Sequence, residues 1–172
     1  MKKIRGFTLP EILIGMTIML LVMGAALTIY NMSQVSWVEG NAQTGLQRDA
    51  SISMAKMIRG INGMYGIMDA KSVNTPNATP PNIDNTVVFT GVDNVNRSFY
   101  LSSGMLYYDP NTSTSGGETS IIKNVSGLEF RRGNGTAQYG SEDRLGIKLV
   151  LQQMVKSRTM SVTLYTAVKV RN

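Results

Sequence analysis

The chain has 172 residues, 17 Lys and Arg against 11 Asp and Glu, 12 Met, and neither His nor Cys. Without Cys there are no disulfides, thiolate nucleophiles, iron–sulfur clusters or zinc ribbons; without His there is no Ser-His-Asp triad, histidine metal ligand or imidazole base. A catalyst would have to use carboxylates, Lys, Tyr or bound metal, so the composition favours a binding or structural protein. The formal charge of +6 is concentrated at one end: Lys2, Lys3 and Arg5 supply half of the excess. Beyond them, basic and acidic residues are interspersed, and Arg131-Arg132 is the only other basic pair. No Lys/Arg block interleaved with aromatics is present, so no direct nucleic-acid contact is expected.

From Ile12 to Ile29 the sequence reads ILIGMTIMLLVMGAALTI, with no charge. Eighteen residues at about 1.5 Å each nearly match a hydrocarbon core of roughly 30 Å. The basic flank precedes this run and the next charge is Glu39. This asymmetry predicts a cytoplasmic N-terminus and a translocated C-terminal bulk. A secretory signal peptide cut near Gly24, Ala25 and Ala26, and a plain uncleaved anchor, are the two simpler readings. Both accommodate Pro10 and Glu11 poorly, because a helix-interior proline costs about 3 kcal/mol and a carboxylate in a spanning segment up to roughly 3 kcal/mol.

Cleavage after Gly6 removes both difficulties. Pro10 then falls in the first helical turn, where its missing N–H costs little. The new α-amino group at Phe7, of pKa about 8, becomes a cation able to pair with Glu11, and a pair formed between neighbouring chains would set their register. The run Gly6-Phe7-Thr8-Leu9-Pro10-Glu11, behind a short basic leader and ahead of the apolar segment, resembles the prepilin signature of type IV pilins and type II secretion pseudopilins. The resemblance covers about thirty residues. It implies a membrane-embedded prepilin peptidase that cuts between Gly6 and Phe7 and N-methylates Phe7. It also implies that Glu11 pairs with a neighbouring subunit's N-terminal amine. Some tip subunits of the family lack this glutamate; this chain keeps it. Implied partners are the peptidase, other pilin or pseudopilin subunits through their N-terminal helices, an inner-membrane assembly platform, and lipid before assembly. No cofactor or metal is implied. The Gly104–Tyr108 strand and the Val168–Asn172 ending are similar to W-type minor pilins and J-type pseudopilins. The absent cysteine pair is unlike many major pilins.

After Tyr30 the pattern becomes that of an amphipathic helix. Leu46, Ala50, Met54, Met57, Ile58 and Ile61 fall at spacings of three and four, with Arg48, Asp49, Lys56 and Arg59 elsewhere around it. Gly60, Gly63 and Gly66 terminate it, and Gly40 and Gly45 are weak points inside it. The methionines at 16, 19, 23, 54 and 57 suit adaptable packing better than copper binding.

The remainder reads as short strands: Thr86–Phe89; a hairpin of Ser98–Leu101 and Met105–Tyr108 turning at Ser102-Ser103-Gly104; Ile121-Ile122; Leu128–Arg131; and an antiparallel pair, Leu145–Leu151 and Met160–Val170, turning near Lys156-Ser157. Val73–Asp84 and Asp109–Glu118 read as loops. The sequons at Asn77 and Asn134 carry no assigned role. Asp84, Asp93 and Asp109 could offer oxygen to Ca²⁺ but lack a compact ligand spacing.

The expected architecture is α+β: a leader at 1–6, a membrane and assembly helix at 7–30, an amphipathic helix at 31–60, and a small antiparallel β-rich head at 61–172. The expected role is a non-enzymatic minor pilin or pseudopilin in the bacterial cytoplasmic membrane and then in a fibre. The rivals are a signal-anchored periplasmic binding module and a carboxylate enzyme, for which Glu129, Glu142 and Asp143 are the available acids.

Overall fold

A computed structural model describes residues 7–61, 63–75, 83–132 and 144–169. The chain divides into two compact units, residues 1–41 and 42–172.

The first unit holds most of a 51-residue helix, α1 (Leu9–Arg59). Every residue from Phe7 to Gln34 is exposed, so among the described residues no other side chain covers the apolar surface of this stretch. The helix is long and apolar enough to cross a membrane. It runs unbroken through Gly40 and Gly45; two glycines, at roughly 1 kcal/mol each, do not outweigh the propagation of so long a helix. It stops at Arg59 because Gly60 turns left-handed (φ +67°) and donates its N–H to the Lys56 carbonyl at 2.9 Å. The chain then folds back so tightly that a Cβ on Gly66 would lie 2.4 Å from the Ile58 carbonyl oxygen.

The second unit begins within this helix. Leu46, Ala50, Met54 and Met57 are buried in the same core as the strands, and their spacing of four, four and three places them on one stripe. Ile58 packs partly against this core, whereas Ile61, beyond the helix end, is 40% exposed and does not belong to it.

Among the described residues, nine strands follow a 3-10 turn at Ile67–Asp69: β1 (Ser72–Thr75), β2 (Ile83–Asp84), β3 (Thr86–Thr90), β4 (Asn96–Ser102), β5 (Met105–Asp109), β6 (Thr119–Lys123), β7 (Val125–Arg132), β8 (Arg144–Val155) and β9 (Arg158–Lys169). They form two antiparallel sheets, ordered β1-β3-β4-β5-β6 and β2-β7-β8-β9. β3 to β6 and β7 to β9 are meanders, the economical result of short turns between alternating strands. The β4–β5 turn uses Ser103 and Gly104 at positive φ, and Lys156 does the same between β8 and β9, as two-residue hairpins require. Inward positions of both sheets, among them Phe89, Phe99 and Leu106 in the first and Phe130, Ile147 and Leu149 in the second, are fully buried.

One expectation is corrected. The segment Val73–Asp84 is not loop throughout: β1 closes one edge against β3 and β2 pairs with β7. A four-residue and a two-residue strand carry too little alternation to register as pattern. The head also holds two sheets, because β7 leaves the first meander to start a second. Val170 lies outside the described residues.

Candidate functional site: the N-terminal segment

The described chain opens at Phe7, which is 85% exposed. Gly6, Lys2, Lys3 and Arg5 lie outside the described residues, as do Glu142 and Asp143. Pro10 sits in the first turn of α1, the position where a proline removes no intrahelical hydrogen bond. One turn of the helix closes at once, Ile12 N–H donating to the Thr8 carbonyl at 3.2 Å.

Glu11 has a partner that sequence reasoning did not name. One of its carboxylate oxygens, Oε2, accepts from the Thr8 backbone N–H at 2.8 Å and from the Thr8 hydroxyl at 2.8 Å. Thr8-x-x-Glu11 thus acts as half of a capping box: an acid at the third helical position reaches back to satisfy the donor at the cap. The signal was present in the sequence as a Thr three residues before a Glu. This contact occupies one oxygen and leaves Oε1 outside both bonds. The carboxylate can therefore hold the helix start and still accept a hydrogen bond or cation on its other oxygen.

The acids considered for other chemistry are engaged elsewhere. Glu129 faces Lys148 across β7 and β8, with Lys148 Nζ at 2.7 Å from Oε1 and Arg131 at 3.7 Å from Oε2. A carboxylate flanked by two cations on neighbouring strands has the arrangement of a cross-strand ion pair. Asp84 accepts from Thr86 N–H and Asp109 from Asn111 N–H, the short Asx turns that these residues make where strands begin or end. Asp93 clamps Arg97 through two hydrogen bonds, at 2.8 and 2.5 Å. That guanidinium also lies 3.8 Å from the centre of the Tyr65 ring. The Arg97 hydrogen bonds hold the Asp93 carboxyl down at about 2 and raise the guanidinium further above its ordinary range. Among the described residues, no three acidic side chains converge as a metal site would need.

Residues 1–27 match a family model described as the prokaryotic N-terminal methylation motif. No curated protein and no solved structure matches the chain. The motif implies processing by a prepilin peptidase and assembly with other pilin subunits, and the exposed apolar helix behind it suggests inner-membrane anchoring. A methylation motif, a long apolar N-terminal helix and two antiparallel sheets together make this a chain of pilin-like architecture that fits the type IV pilins and pseudopilins.

Proposed function

We propose that this chain is a minor pilin or pseudopilin subunit that catalyses no reaction and is itself the peptidase's substrate. One observation carries this reading: the methylation motif extends into one long helix with a charge-free stretch, Ile12–Val38, and the far end of that helix is built into the core of a β-rich head. An ordinary signal peptide has no reason to continue as a structural element of the mature domain. The leader charges Lys2, Lys3 and Arg5 stay cytoplasmic while the head is translocated. The peptidase removes residues 1–6 and methylates Phe7. The uncovered helix then exchanges lipid for neighbouring helices in a fibre, with Glu11 meeting a neighbour's N-terminal amine. A charged pair buried in that setting fixes axial register, since a one-residue slip leaves both charges without a partner.

The similarity of the Gly104–Tyr108 strand and of the C-terminal residues to W-type minor pilins and J-type pseudopilins supports a low-abundance subunit. The test is the intact mass of the membrane-extracted chain. A start at N-methylated Phe7 is expected; a start after Ala26 or an intact leader would overturn the reading in favour of a signal peptide or a plain anchor.

A further inference from the structure

Past the apolar run, α1 carries a segment of different chemistry, Asn31 to Val38 (NMSQVSWV), which has polar side chains and no charge. It holds Trp37, the only tryptophan of the chain, and follows directly on Tyr30. Both rings are exposed, Tyr30 at 60% and Trp37 at 68%. They stand seven residues apart, so two turns of helix return Trp37 to within about 20° of the Tyr30 direction. The helix begins to bury side chains only at Leu46, more than two turns later, so the head's core does not account for Trp37.

We propose that Tyr30 and Trp37 form an aromatic anchor for the phospholipid headgroup layer on the outer side of the membrane and set the depth of the unassembled subunit. This rests on the membrane-spanning reading of α1. Three observations point to lipid as the occupant. Glu11 and Glu39 bracket the interval Ile12–Val38, 27 residues without a charge, which rises about 40 Å and so matches a bilayer with its headgroups rather than the hydrocarbon alone. Trp37 is the next-to-last residue of that interval and falls at its outer margin. Uncharged polar residues mixed with Trp and Tyr are the composition of the membrane–water interface, where an amphipathic ring keeps its apolar body in lipid and its N–H or O–H in water.

The lone tryptophan is a built-in reporter. The full-length chain is reconstituted into phosphatidylethanolamine–phosphatidylglycerol vesicles, floated, and read by tryptophan emission with three quenchers: lipid brominated high on the acyl chain, lipid brominated near its end, and aqueous iodide. The expected result is flotation, emission shifted to the blue of the urea-unfolded chain, and stronger quenching by the shallow bromines than by the deep bromines or iodide. Flotation with water-like emission and full iodide access overturns the anchor while leaving the spanning helix standing. Blue-shifted emission that ignores the bromines and follows the protein-to-lipid ratio also overturns it, assigning Trp37 to contact with a second copy. Failure to float overturns the spanning reading together with the anchor.

Discussion

Glu11 caps the helix start, and single substitutions separate that role from the proposed pairing in the fibre. Its Oε2 caps the helix start through Thr8, worth about 0.5–2 kcal/mol in comparable caps, while the proposed fibre contact needs the charge itself. Thr8→Ala is therefore expected to leave leader removal and fibre formation in place, with some fraying of the first turn. Glu11→Ala should still yield a mass beginning at Phe7 but no incorporation into fibres. If both variants assembled normally, as read by immunoblot of the sheared fibre fraction, Glu11 would be a cap and nothing more. Gly6→Val should leave the leader uncut, because a branched side chain obstructs a protease at a position where glycine bares the backbone; the intact mass then retains residues 1–6.

The Asp93–Arg97–Tyr65 cluster makes a second residue-scale case. A Cβ on Gly91 would come 2.3 Å from an Arg97 Nη and 2.7 Å from an Asp93 oxygen, so Gly91→Ala is expected to lower the melting temperature by expelling the guanidinium from its bidentate grip. Because the folded Asp93 carboxyl titrates near 2 instead of its ordinary 3.8, the pair's contribution is fully present above about pH 4 and is lost as the pH falls through about 2. Thermal melts of the detergent-solubilised chain between pH 5 and pH 2 should show this loss, and Asp93→Asn should flatten that part of the profile. None of this was readable beforehand. Asp93 and Arg97 are four apart across a turn, and only the fold brings Tyr65, thirty-two residues earlier, beneath the guanidinium.

At the scale of elements, the long strands and the helix stripe were legible. Leu145, Ile147, Leu149 and Leu151 of β8 are all buried at a spacing of two, and Met160, Val162, Leu164, Thr166 and Val168 of β9 are buried or half-buried between exposed neighbours. Met57 is fully buried where helix and sheets meet, and Met57→Ala is expected to destabilise the head by about 2–5 kcal/mol. Phe130→Ala, equally buried, should cost about 3–5 kcal/mol. Met16→Ala, exposed in the membrane half, should leave denaturant stability unchanged; equal losses for all three would show that the exposed half contributes to the folded core. The short strands β1 and β2 were missed because two to four residues cannot display a period. Their pairing energy comes from the edges that β3 and β7 offer, which lie elsewhere in the chain.

For the whole molecule, the order of features along the chain determined most of the functional reading. A basic N-terminal run, a methylation motif, a charge-free apolar stretch and a patterned head occur in order along the chain, and each is recognisable from local chemistry alone. Charge asymmetry, helix periodicity and the length of an apolar run are properties of neighbouring residues, so the sequence by itself specified the methylation motif, the long apolar helix and the α+β class. Tertiary structure decided what depends on distant partners. The helix core stripe ends at Met57, with Ile61 left outside. The nine strands among the described residues divide into two sheets, and Glu129 stands in a cross-strand ion pair with Lys148. Those outcomes depend on which surfaces meet when the chain closes on itself. Burial and pairing energies act between residues far apart in sequence, and no local pattern encodes them.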